Sequence, residues 1–223
     1  MGQRSRSIRA AILWGVAVAL LASGSMLGAT WNSFPGAWLK NQLQLGGDKL
    51  TRAAQRRAAL LRRAGLQASP REMRIVVRKG ERRLTLLGDG RELLSTRVGL
   101  GSVPVGAKRR QGDGRTPEGD YYVCSRNANS RFHLFLGLSY PNGDDAERAQ
   151  RAGLISAAQS RAITQAVAAR QRPPWDTVLG GTVGIHGSGS NWDWTLGCIA
   201  LDDDDIETLW GLCPIGTPVR IDP

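Results

Sequence analysis

Histidine and cysteine are scarce in this chain, which has two and three of them in 223 residues. Cys124, Cys198 and Cys213 lie far apart and form no CxxC pair, so zinc-finger and zinc-ribbon spacings are excluded and no metal or other cofactor is called for. An odd count leaves two arrangements open: Cys124 and Cys213 pair and Cys198 stays free, or all are thiols. Internal repeats are absent. Acidic residues are rare at one end only: residues 1–80 carry 14 Lys/Arg against 2 Asp/Glu, while residues 81–223 carry 16 against 17. The formal charge of +11 is therefore confined to the N-terminal third. That split argues against nucleic acid as a partner and suits an anionic membrane surface or wall polymer.

What is present is enough for one sizeable domain with accessories, since 41% of the residues are hydrophobic. Arg4, Arg6 and Arg9 precede an uncharged run from Ala10 to Ala29, and no charge returns until Lys40. This order reads as a signal peptide or a single N-in membrane anchor over 1–31; Ser23 to Ala29 offers small residues for cleavage, and both forms stay open. Residues 32–72 read as a basic helical connector. Its helix is expected over Asp48–Ala64 with Asp48 as N-cap and Gly65 as stop, its arginines either forming a solvated face or lying on a charged surface.

From Met73 the hydrophobic period changes to two. Met73–Arg78, Arg83–Leu87 and Glu92–Val98 predict a β meander, and Tyr121–Cys124, Phe132–Tyr140 and Pro218–Ile221 predict further strands. Asp144–Arg170 predicts one or two helices, acting as a lid or as scaffold. Asp202 to Asp205 open another helix, where four acids suit the macrodipole.

The chemistry concentrates between Gly184 and Leu201. Val183 and Ile185 before His186, and Ile199 and Leu201 after Cys198, read as two strand ends flanking a glycine-rich, aromatic loop. A neutral imidazole beside a thiol can take its proton, so His186 is the candidate base and Cys198 the candidate nucleophile. Gly197 lets the backbone turn sharply and leaves N–H groups for an oxyanion. An imidazolium partner is expected to lower the thiol pKa below the free value of about 8.5 and make Cys198 the fastest cysteine to alkylate at pH 6–7.

His186-Gly187 and Thr195-Leu196-Gly197-Cys198-Ile199 resemble the signature of the L,D-transpeptidase (YkuD-like) catalytic domain. Val98-Gly99-Leu100-Gly101, Gly112 to Gly119, and Asn129-Ser130-Arg131-Phe132-His133 resemble other segments of it. The resemblance places that domain over 73–223 and implies a mostly β, sandwich-like fold with helical insertions. It also implies peptidoglycan stem peptides as substrate and a wall-linked lipoprotein as a further acceptor or substrate, while the N-terminal signal or anchor is what places the chain in the periplasm or cell envelope. Gly197, Thr195 and Gly187 are then expected to shape the site and its oxyanion hole. Two positions depart from the pattern: Leu196 stands where histidine is usual, and Ala200 where arginine or asparagine is usual. The form Trp-Thr-x-Gly-Cys-Ile-Ala resembles a branch with members that cut cross-links, so transfer, hydrolysis and noncatalytic wall binding are all open.

Around this centre, Arg131 is the candidate clamp for a substrate carboxylate. Of Trp192 and Trp194, one is expected to line the groove and the other to pack beneath it. Tyr140 and Asn142 are expected to shape the same cleft. His133 reads as structural and Asp193 as a turn residue.

Overall fold

The computed structural model describes residues 51–223. The expected signal or anchor and the connector up to residue 50 lie outside the described residues, among which no helix is long and apolar enough to cross a membrane.

Helix α1 (51–63) ends where glycine allows it to. Gly65 takes a positive φ of 69°, its N–H reaches the Arg62 carbonyl, and the Leu66 N–H reaches that of Leu61, closing the helix with a Schellman motif. Arg91 donates to the Ala64 and Gly65 carbonyls at 3.0 and 3.1 Å, placing a cation where the helix dipole is negative. Leu61, Ala64 and Leu66 pack on the main core, and Arg56 pairs with Asp204 and Asp205. Arg56 thus leaves the solvated face, on which Arg52, Arg57, Arg62 and Arg63 stay exposed.

Strands β1 (Met73–Arg78), β2 (Arg83–Gly88) and β3 (Arg91–Arg97) form the predicted meander. In β1, Ile75 and Val77 are buried while Arg74 and Arg78 point outward, the period-two pattern of a sheet with one wet face. The remaining strands are β4 (Gly119–Ser130), β5 (His133–Leu138), β6 (Gly184–His186), β7 (Ile199–Ala200) and β8 (Pro218–Asp222). Their order is β3-β2-β1-β8-β4-β5-β6-β7, with the C-terminal strand inserted at the centre, parallel to β1 and antiparallel to β4. Beyond β3, Gly99 exchanges two backbone hydrogen bonds with Ala200, and Gly101 bridges to Thr195. The two ends of the strand order therefore meet, and the sheet curls around a core that includes Leu84, Leu136, Leu138, Ile185 and Ile199.

The predicted helical stretch is two helices, α2 (Gly143–Arg151) and α3 (Ala157–Ala168), each opened by a capping box from Asn142 and Ser156. They bury their own cluster of Ala146, Ala149, Ile155, Ile163 and Leu179. Helix α4 (Asp203–Leu212) sends Ile206 and Leu209 into the main core.

Candidate active site

The parallel pairing of β6 with β7 aligns His186 with Ala200, so Cys198, one residue before β7, comes beside the end of β6. Both side chains line one cavity of about 880 Å³, within the size range of ligand sites. The loop joining them is tied down along its length. Ser188 N–H donates to Asp203, and Ser190 donates to Asp202 through both its N–H and its hydroxyl. Asp193 accepts from Arg82 Nε and Nη2 and from Leu100 N–H, so it is an anchor between segments and not a simple turn residue.

His186 is buried between rings: Phe132 stacks on it at 4.7 Å and Trp194 meets it edge-on at 5.5 Å. Its Nδ1 lies 2.7 Å from the Gly187 carbonyl, which can only accept; Nδ1 carries the proton, and Nε2 keeps the lone pair a base requires. Burial in this apolar slot lowers the pKa of His186, the Gly187 contact opposing it.

Cys198 is only partly exposed, and its thiol donates to the Thr182 carbonyl at 3.6 Å. Burial raises its pKa, against smaller opposing effects of Gly184 N–H and the Lys108 charge. Desolvation thus favours the neutral form of each partner, the opposite direction from the expected thiolate and imidazolium. Alkylation of Cys198 should be slow at pH 6–7 and climb toward alkaline pH, because the raised thiol pKa delays formation of the thiolate. A rate plateau extending down to pH 6 would contradict this neutral resting pair.

The turn before Cys198 is built by Thr195, whose hydroxyl donates to the Cys198 carbonyl at 2.7 Å and accepts from Gly197 N–H at 3.1 Å. Gly197 has φ +127°, and its amide, already bonded, is not an oxyanion donor as expected. Gly187 is likewise committed, its N–H donating to the Phe132 carbonyl and its Cα facing Asp203 too closely for a Cβ.

The YkuD sequence profile, describing the L,D-transpeptidase catalytic domain, matches residues 72–221. The chain belongs to this family. Similar solved structures include the helical cell shape determining protein Pgp2 from Campylobacter jejuni, at 22% identity and TM-score 0.46, covering 67% of this chain and 47% of that one. Others are Bd1075 from Bdellovibrio bacteriovorus (20%, TM-score 0.43, 71% and 50% covered) and an L,D-transpeptidase from Xylanimonas cellulosilytica (18%, TM-score 0.38, 72% and 67% covered). The chain thus spans about half the length of the first two. No curated protein shows significant sequence similarity to it.

Within this YkuD domain, Arg131 and Trp194 line the cavity, whereas Trp192 lies outside its lining and is 69% exposed. Tyr140 and Asn142 do not shape the cleft. Tyr140 is fully buried with its hydroxyl donating to the Leu179 carbonyl, and Asn142 is spent on capping α2 and donating to the Asp120 carbonyl. His133 pairs with Glu207 at 2.8 Å, consistent with a structural role. The four acids at α4 serve tertiary partners; Asp202, the N-cap residue, makes no side-chain cap bond. Cys124 and Cys213 are free thiols. Helices α2 and α3 contribute nothing to the cavity wall, and only the segment after them does, through Arg172, Trp175 and Thr182.

Sequence reasoning missed Lys108 and Asp113. Lys108 is buried, with Nζ 2.9 Å from Asp113 and 3.4 Å from the Leu196 carbonyl, so it braces the nucleophile turn from behind. Burial pushes the Asp113 carboxyl up, but hydrogen bonds from Arg109, Lys108, Arg115 and Arg110 outweigh it and hold the pKa below the ordinary value. Arg126, Arg172 and Trp175 were missed too, since nothing in their local sequence marks a cavity wall.

Proposed function

We propose that this chain is an exported enzyme that exchanges or hydrolyses an amide bond of peptidoglycan stem peptides through a thioester on Cys198. The observation supporting it is that Cys198 shares a cavity with a histidine whose Nδ1–H is committed to Gly187, leaving Nε2 as the base. Nε2 takes the thiol proton as Sγ attacks the carbonyl at the L-centre of a diaminopimelate residue. The C–N bond then breaks, and the imidazolium returns that proton to the leaving amine. With the Gly197 amide committed, Cys198 N–H is the donor assigned to the oxyanion. An amine from a second stem or a wall-linked lipoprotein completes transfer; water completes hydrolysis. Leu196, 78% exposed at the cavity, offers a side-chain hydrogen bond to neither acceptor.

Digesting purified sacculi with residues 51–223 and identifying the products by mass spectrometry tests this. Shortened stems or released peptides are the expected outcome, new cross-links indicate transfer, and an unchanged product profile rejects both. Export belongs to the same proposal. A fusion of residues 1–45 to a reporter active only outside the cytoplasm should give signal, and silence would remove the wall as substrate.

A further inference from the structure

The cavity wall carries three arginines, Arg126, Arg131 and Arg172, and no carboxylate. Their guanidinium groups are not equivalent. Arg126 lies over Trp210 and donates to the Trp210 carbonyl at 2.6 Å, so it is engaged within the protein. Arg131 and Arg172 are exposed and have neither an ion pair nor a hydrogen bond among the described residues. Each instead lies over one aromatic ring, Phe132 at 4.7 Å and Trp175 at 4.8 Å, which supports the planar group and leaves its N–H edge for a ligand.

The two rings lead to opposite members of the reacting pair. Phe132 stacks on His186, so Arg131 reaches the site from the side of the base. Trp175 packs against Gly181, next to Thr182, whose carbonyl accepts the Cys198 thiol; Arg172 therefore reaches it from the side of the nucleophile. The prolines at 173 and 174 limit the backbone freedom between Arg172 and its ring.

We infer that Arg172 is a second carboxylate-reading residue, meeting a carboxylate of the bound stem from the side of the nucleophile while Arg131 meets another from the side of the base. This rests on the function proposed above and names a residue that reads its substrate. An arginine fork matches a carboxylate in two parallel hydrogen bonds, whereas an amidated carboxyl carries no charge and replaces one acceptor oxygen with an NH2 donor that cannot accept from the fork.

The test uses the full-length protein and a synthetic stem tetrapeptide ending in diaminopimelate and D-alanine, with both carboxylates free or with either one amidated. Binding is measured calorimetrically on the Cys198→Ala variant, and turnover on the unmodified nucleophile. Arg172→Gln should weaken binding and kcat/KM for the free peptide by about tenfold, as expected for one charged hydrogen-bonded contact. The loss should vanish on the peptide amidated at the carboxylate Arg172 reads, and Arg172→Lys should recover part of it. Equal losses on free and amidated peptides would make Arg172 a merely structural residue and overturn the inference. So would wild-type protein that handles free and amidated peptides alike; turnover of both would then leave the proposed function standing. Carboxylate-dependent binding without turnover of any wall peptide would sustain the Arg172 assignment and remove the proposed reaction.

Discussion

Cys198→Ala should reduce turnover of wall peptides by about 10⁴-fold or more, because no other group in the cavity can form the thioester. Stability should barely change. The Sγ atom is partly exposed and makes one weak hydrogen bond, at 3.6 Å to the Thr182 carbonyl, so little packing is lost. The other two cysteines supply the contrast. Cys213 is fully buried in the main core, with its pKa pushed up to about 12, and Cys124 is half-buried, with its pKa pushed up to about 11. Their alanine variants should retain activity while Cys213→Ala loses about 1–2 kcal/mol of stability through the cavity it leaves. His186→Ala should resemble Cys198→Ala in activity and also destabilise the site, since it empties the slot between Phe132 and Trp194. Sacculus digestion followed by mass spectrometry reads the first effect, and thermal melting the second. Full activity in Cys198→Ala would reject the mechanism and leave a binding surface around Arg131 and the tryptophans.

Gly197→Ala is expected to cost about 100-fold in activity, the penalty of displacing a nucleophile by roughly 1 Å. A methyl group there would stand 2.5 Å from the Arg115 carbonyl and 3.2 Å from Lys108 Nζ, on a backbone held at φ +127°. The turn can relieve this only by moving Cys198 or by releasing Thr195 and Lys108 from it, and the strain should lower stability by about 1–3 kcal/mol. Gly90→Ala is the control. Gly90 also has a positive φ, 76°, but nothing lies within 4 Å of its hypothetical Cβ and it sits in the β2–β3 turn. It should lose stability through backbone strain alone and keep activity. If Gly197→Ala melts no lower than Gly90→Ala and remains fully active, the turn does not position the nucleophile.

Features with a local cause are legible in the amino-acid sequence. The β1–β3 meander follows from alternating apolar residues with glycine at the turns, and its partners are neighbours in the chain. The reactive pair is legible because histidine and cysteine are so rare here that two of them within one glycine-framed loop form a signal. The end of α1 at Gly65 is readable too, since only a residue tolerant of positive φ closes that helix. Tertiary structure alone decided where β8 goes, because nothing near Pro218 states that its strand will pair with residues 75–78 and 119–122. It decided the acids of α4 as well. Their pattern fits a helix dipole, yet Asp202 and Asp203 hold the loop beside His186, while Asp204 and Asp205 hold Arg56. Tyr140 and Asn142 follow a strand that points toward the cleft in sequence, but the β4–β5 pairing and the start of α2 bury them elsewhere. The protonation of the pair was decided in the same way. Residue type sets the usual pKa, but burial sets the direction of the shift, and burial depends on surfaces from Phe132, Thr182 and Trp194 that meet only when the sheet has curled closed.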